Sequence, residues 1–294
     1  MIILLVPELE ALLAEAGRQP TIVSRLIARG RSRALPQDGF LAELVTEQAV
    51  AAAAIARRHD RPDDAEGWWA FADPVRLRPD LSAVWIQPHA FQSEHDAAVS
   101  DLRDLLAEDG LRFELATPER GYLKLPGPPE AEFTPPWAIA GRSMEQVLPR
   151  GREGPLWTRR LNECQVLLHQ LSREDPAVPS GLWFWGPGPL PRERPEARIS
   201  HLIGEGEGLR ELAAWLDLSY SPEERGTPDA SLRLWSPSPG SDADQALLQL
   251  ADLIRPLWRR LRLGRFDALE LATRRQVWRL RPADAWRFWK QASR

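Results

Sequence analysis

The chain has 294 residues, enough for one large domain or two modest ones and for a core that needs no covalent staples. With 43% hydrophobic residues, 27% charged residues and a formal net charge of −4, it has the make-up of an ordinary water-soluble globular protein. A single cysteine, Cys164, excludes a disulfide framework and a cysteine-rich zinc site, and no apolar run approaches the ~18–20 residues that span a bilayer. The opening segment Met1–Pro7 has no basic flank and runs straight into Glu8 and Glu10, so neither a signal peptide nor an anchor is expected, and a reducing, cytoplasmic setting is.

In chain order, Met1–Val6 predicts a short buried strand, followed by helices over Glu8–Ala16, Thr21–Ala28 and Phe40–Arg58. After a polar loop at His59–Gly67 come two strands, Pro74–Arg78 and Ala83–Gln87, split by a turn at Pro79-Asp80. Ser93–Glu108 predicts a helix with Ala97, Leu102, Leu105 and Leu106 as its apolar stripe, closed by Asp109-Gly110. Leu111–Leu115 and Gly121–Leu125 form the next strand pair. Prolines then crowd the stretch from Pro126 to Gly154, which predicts a connecting segment.

The second half resumes with a helix over Pro155–Ser172 and a strand at Leu182–Trp185. A strand at Ala197–Ile203 and a helix at Leu209–Leu216 follow. Leu232–Trp235 predicts a strand, Asp242–Leu261 a long helix, Ala268–Leu271 with Gln276–Leu280 a hairpin, and Pro282–Lys290 a short helix. The expected fold is therefore α/β, a sheet with flanking helices, and mixed α+β in the N-terminal half. The expected domains are residues 1–132, a connector at 133–154, and an α/β domain at 155–294 with a basic end.

Catalytic motifs are scarce. No phosphate-binding Gly-x-x-x-x-Gly-Lys-Ser/Thr run and no Gly-x-Ser-x-Gly elbow occurs. Gly204-Glu-Gly-Glu-Gly208 precedes a helix, but Glu205 and Glu207 would repel phosphate, so it predicts a turn and helix start. The histidines, His59, His89, His95, His169 and His201, include no i, i+4 pair. His89, His95 and Asp96 would converge only if their loop folded back. No metal site and no cofactor is expected.

Two features point to binding instead. On the helix Pro155–Ser172 the residues Trp157, Leu161, Cys164, Leu167, Leu168 and Leu171 form a broad apolar face. Asn162, Gln165 and His169 fall within about 60° of one another along its border. The strand Leu182–Trp185 is apolar throughout and ends in Gly186-Pro187-Gly188, where small residues permit close backbone approach. If this strand lay in an α/β sheet, its carboxyl end would be the expected ligand position. The predicted cleft is where Trp185, Gly186 and Gly188 meet Asn162, Gln165 and His169. Asp73, Glu119 and Arg120, at strand ends, are second candidates.

Charge is placed unevenly. All but two of the 38 basic residues are arginine. The segment Arg255–Arg294 holds 12 basic against 3 acidic residues, in a chain that is acidic elsewhere. Such an end can neutralise phosphates, and Trp278, Trp286 and Trp289 could stack on bases. The surrounding negative charge opposes this, so nucleic acid is not the expected partner and an acidic protein surface is. The negatives can also pair with the arginines inside the fold or across a homodimer contact. A small molecule of undefined class is the expected occupant of the cleft.

Four blocks, Ala72–Leu77, Arg112–Leu123, Leu161–His169 and Leu182–Gly186, together with Trp286–Trp289, resemble the RpfE-type bacterial regulatory proteins. They span most of the chain in the family's order. The resemblance implies a regulatory role without an assigned reaction. A narrower resemblance joins the Trp-Gly strand and Ile199–Leu218 to the archaeal-type cofactor-independent phosphoglycerate mutases of the alkaline phosphatase superfamily. It implies a reduced, related piece of fold in the C-terminal half and a relic phosphate pocket. Those enzymes use two divalent metals held by Asp and His, and a Ser nucleophile. No matching Asp-Gly-nucleophile or Asp-His block exists here. The leading expectation is a non-catalytic regulatory or binding protein, the alternative a divergent metal-dependent phosphomutase or phosphatase, and nucleic-acid binding through the arginine-rich end a lower third.

Overall fold

The structure, a computed structural model, describes residues 1–79, 84–139, 142–223 and 228–286. In chain order the elements are β1 (Ile2–Leu5), α1 (Leu9–Glu15), α2 (Thr21–Arg29), β2 (Arg31–Ala34), α3 (Phe40–Thr46) and α4 (Ala52–Asp60). Next come β3 (Trp68–Pro79), β4 (Val84–Pro88), α5 (Asp96–Glu108), β5 (Arg112–Thr117), β6 (Arg120–Leu125), α6 (Met144–Val147), α7 (Gly154–Glu174) and β7 (Gly181–Gly188). The remainder is β8 (His201–Ile203), α8 (Glu207–Leu216), β9 (Ser219–Ser221), β10 (Ser231–Leu234), α9 (Ala243–Arg262), β11 (Leu269–Ala272) and β12 (Gln276–Leu280). No helix among the described residues is long and apolar enough to cross a membrane. The turn expected at Pro79-Asp80 falls partly outside the described residues. So does the tail from Arg287, with Trp289 and Lys290.

The chain folds as two compact units, one made from both ends (Met1–Ala49 with Arg194–Arg294) and one from the middle (Val50–Glu193). This differs from the expected boundary at 133–154. Two physical reasons account for the difference. First, β1 pairs in parallel with β10 on one side and β11 on the other, so the first strand belongs to the last third of the chain. Second, the proline-rich stretch is not a linker: Ala138, Ile139 and Val147 are buried, and Ile139 and Val147 belong to the middle unit's core.

The end-built unit is α/β. Its seven-stranded sheet runs β2-β12-β11-β1-β10-β8-β9, parallel from β9 to β11, with β12 and β2 added antiparallel. β1 is fully apolar because it is covered on both faces, with Ile2, Ile3 and Leu4 wholly buried. The helices α1, α2 and α9 pack over Ile2 and Leu4 through Leu9, Leu26, Leu250 and Ile254. At the edge, β2 exposes all four of its residues, including Arg31 and Arg33, charges that discourage pairing with a further strand.

A buried ion network also joins the two ends of the chain. Glu270 on β11, 2% exposed, lies 3.2 Å from Arg198 Nη1 and 3.5 Å from Arg279 Nε, and Arg198 reaches Glu47 at 2.9 Å. Glu270 is the buried member of the network, and loss of both arginines would leave its charge uncompensated.

The middle unit is built on an antiparallel five-stranded sheet in which β3 is central. Val75 pairs with Pro88 of β4 on one side and Gly181 of β7 on the other, while Trp68–Phe71 pair with β6. Its larger core gathers α5 and α7 on the sheet through Leu102, Leu106, Leu161, Cys164, Leu168 and Phe184. A smaller cluster, Ala53, Ala56, Trp69, Phe71 and Tyr122, seats α4.

Three further expectations are corrected. Phe40–Arg58 is two helices: Glu47 closes α3 in the left-handed region at φ 62°, and the Thr46 hydroxyl donates to the Ala42 carbonyl. The division between the units falls just beyond this break. β3 begins at Trp68, six residues earlier than expected, because Trp69 and Phe71 serve the small cluster. And β7 is an antiparallel strand of the middle sheet, so the rule placing ligands at the carboxyl ends of parallel strands does not apply to it.

Candidate functional site

All nine sequence-predicted site residues lie in the middle unit, but the structure regroups them. Trp185 does not join the α7 stripe. Its indole N–H donates to Asp73 Oδ2 at 2.7 Å, its ring stacks on Phe71 with centroids 4.2 Å apart, and Trp137 meets it edge-on at 5.1 Å. Phe71 is paired opposite Trp185 across the β3–β7 ladder, which brings Asp73 to the same face. On the neighbouring strand β6, Arg120 has its guanidinium 5.5 Å over the Phe71 ring and 3.3 Å from Asp60, whose other donor is the Tyr122 hydroxyl at 2.7 Å. Asp73, Arg120 and Trp185 thus share one aromatic and ionic cluster. Glu119 is exposed in the turn between β5 and β6.

The two glycines have packing reasons. Gly186 adopts φ 64°, open to few other residues, and a side chain at Gly188 would sit 2.5 Å from the Ala51 Cβ. Gly188 therefore lets the start of α4 approach β7.

The α7 stripe divides as well. Its apolar face docks on the sheet, burying Trp157, Leu161, Cys164 and Leu168. Burial pushes the Cys164 thiol up to about 12, which makes it an inert core residue. Gln165 is half-buried and His169 exposed. Asn162 lies on the wall of a groove of 1240 Å³ between α5, α7 and the segment 145–151.

Most of the lining of this groove lies outside the residues singled out from the sequence. Its apolar surface comes from Leu105, Leu148, Pro149, Val166 and Leu167, with Val166 59% exposed. Asp101, Asp104 and Glu108 line it from α5, Glu145 from α6 and Glu163 from α7, against Arg150 and Arg159. The spacing of Asp101, Asp104, Leu105 and Glu108 (i, i+3, i+4, i+7) marks one helix face and was the available signal. The sequence stripe instead placed Ala97 inward. Ala97 is exposed, and Ala98 and Val99 are buried in its stead.

At the end of α5, Asp109 binds Arg160 at 2.6 Å and Arg159 at 3.2 Å, fastening α5 to α7. The Arg160 hydrogen bond, helped by both positive charges, outweighs burial and holds the Asp109 carboxyl below its usual range. At the opposite end of the helices, His95 Nδ1 accepts the Gln92 N–H at 3.1 Å and Nε2 lies 3.1 Å from Asp175. The Ala177 N–H and then His95 depress the Asp175 carboxyl. His89 Nε2 meets the Ala177 carbonyl at 2.9 Å. The two histidines therefore clamp the loop after α7 by hydrogen bonds.

A second ionic cluster, around Trp69, is structural. Arg57 is 1% exposed, stacks 4.0 Å from the Trp69 centroid and binds Glu114 at 2.7 Å and Asp64 at 3.0 Å. Burial acts to raise the Asp64 carboxyl, but Arg112, Lys124 and Arg57 together hold it down.

In the end-built unit, the carboxyl ends of the parallel strands carry Glu8, paired with Arg274 at 2.6 Å, then Gly204, Trp235 and Thr273. A side chain at Gly204 would lie 2.8 Å from the Leu234 Cβ, and α8 starts at Glu207, so the glycine-rich run is a turn and helix start. Among the described residues no group of three or more His, Cys, Asp or Glu is arranged to hold a metal ion. The basic end is partly neutralised within the fold: Arg260 pairs with Asp229 at 2.6 Å, and Arg274 and Arg279 pair as given above.

No protein-family model and no curated protein matches the sequence. Among solved structures, the chain is similar to a cofactor-independent phosphoglycerate mutase from Thermoplasma acidophilum at 14% identity and TM-score 0.38. The match covers 95% of this chain and 89% of that one. It is also similar to the PH0037 protein from Pyrococcus horikoshii at 10% identity and TM-score 0.41, over 95% and 87% of the two chains.

Proposed function

We propose that the chain is a non-catalytic regulatory protein that binds a segment of a partner in the groove between α5 and α7. The make-up of that groove carries the reading. At 1240 Å³ it exceeds the roughly 300–1,000 Å³ of small-molecule sites, and its aliphatic surface is rimmed by five carboxylates against two arginines. An amphipathic helix with lysine or arginine beside its apolar stripe has the matching pattern. The small-molecule ligand expected from sequence becomes the competing occupant.

The test is fluorescence anisotropy with a labelled leucine–lysine amphipathic peptide. Binding that weakens in both Asp104→Lys and Glu163→Lys supports the reading. Binding indifferent to both would overturn it.

The phosphomutase alternative asks for two divalent ions held by Asp and His, with a Ser nucleophile. The residues at the carboxyl ends of β1, β8, β10 and β11 do not fit that donor set, so no step through metals is derived. Manganese-dependent turnover of phosphoglycerate by the purified chain would displace the non-catalytic reading.

A further inference from the structure

A second cavity, of 730 Å³, lies on the end-built unit where the start of α2 meets the outer side of α9. Its composition is opposite to that of the groove. Three arginines line it: Arg18 just before α2, Arg25 on α2 and Arg255 on α9. All three are exposed. Ile22 and Leu248 share the lining, and Leu248 is 54% exposed, a large aliphatic side chain presented to water in the same cavity as the arginines.

The carboxylates nearby are already engaged. Asp244, in the lining, accepts the Arg18 backbone N–H at 3.0 Å, and Asp252 pairs with Arg255 one turn along α9. The positive charge continues beneath the surface. Burial first, then the neighbouring Arg25 and Arg262, make the Arg29 guanidinium harder to keep charged.

We infer that this cavity is a docking surface for an acidic segment of a partner protein that inserts an aliphatic side chain beside Leu248 while its carboxylates meet Arg18, Arg25 and Arg255. Arginine forks suit carboxylates, and an apolar centre with a charged rim is the usual anatomy of a protein interface. Nucleic acid fits less well, because an aliphatic lining offers no ring on which a base can stack. The inference does not rest on the α5–α7 groove, and the two readings are tested with peptides of opposite charge.

The experiment uses the full chain and a short fluorescein-labelled peptide of glutamate and leucine, with a glutamate-only peptide, a lysine–leucine peptide and oligo-dT as comparators. The glutamate–leucine peptide is expected to bind, and binding should weaken about tenfold or more in Arg18→Glu/Arg25→Glu and in Leu248→Ser. These positions are exposed, and an unchanged thermal melt identifies variants that keep the fold. The inference is overturned if neither variant weakens binding, if the glutamate-only peptide binds as tightly, or if oligo-dT displaces the peptide. Failure of the lysine–leucine peptide bears on the groove alone.

Discussion

Truncating Trp183 tests the placement of β7 more sharply than any other single change. Trp183 is 2% exposed, pairs opposite Asp73 on β3, and donates its indole N–H to the Thr134 carbonyl at 2.8 Å. Trp183→Ala removes a buried aromatic, which costs ~3–5 kcal/mol through lost transfer energy and the cavity left behind. It also strips the Thr134 carbonyl of its donor, adding ~1–3 kcal/mol where water does not enter. Trp183→Phe retains most of the ring and loses the donor, so it should cost less than half as much. Asn162→Ala, on the exposed wall of the groove, should stay within about 0.5 kcal/mol of the parent. Urea unfolding followed by tryptophan fluorescence and circular dichroism gives the order. Hydrogen exchange of the β3 and β7 amides localises the loss to the middle unit, as a chain of two units requires. A Trp183→Ala loss below about 1 kcal/mol would refute the buried position of β7. An Asn162→Ala loss above that of Trp183→Phe would mean the amide is structural and not part of a binding wall.

Gly188→Ala should destabilise by ~1–3 kcal/mol, because the added Cβ would overlap Ala51 and force α4 away from β7. An unchanged denaturation midpoint would return Gly188 to the role of a ligand-approach glycine. For acid stability, the folded Asp109 carboxyl titrates below its unfolded value of about 4, so its contribution is fully present above that pH and lost as the pH falls through the folded value. Asp109→Asn should therefore be destabilising at pH 7, with the gap to the parent narrowing as the pH falls below the unfolded carboxyl's value of about 4. Urea midpoints across that range check it, and a gap independent of pH would assign the effect to something other than the Arg159–Arg160 pairing.

Local periodicity made much of the fold legible. The stripe Trp157–Leu171 predicted the buried face of α7, the apolar run Met1–Val6 predicted a short buried strand, and the Gln276–Leu280 hairpin pairs with β11 as expected. What was not legible is which strands meet over long separations. Leu182–Trp185 is a buried strand in either kind of sheet, because periodicity reports burial and not the direction of the neighbour. Its partner on β3 is Phe71–Pro74, of which only Pro74 falls in a strand expected from the sequence, since the run Trp68–Asp73 shows no alternation.

The same limit explains why the candidate site was regrouped rather than found. Asn162, Gln165 and His169 are expected from the sequence on the border of an apolar face, but a border has two sides. Of the three only Asn162 faces the groove, whose other walls come from α5 and from residues 145–151, Pro149 included, which composition alone marked as a connector. Proline density measures the absence of backbone donors, not the absence of packing. Here those residues have carbonyls and apolar rings to bury, and Pro149 lines the groove while Ile139 and Val147 anchor the stretch to the core. A segment poor in regular structure can thus supply one wall of a cleft, and Asp104→Lys with Glu163→Lys probes that cleft from its other two walls.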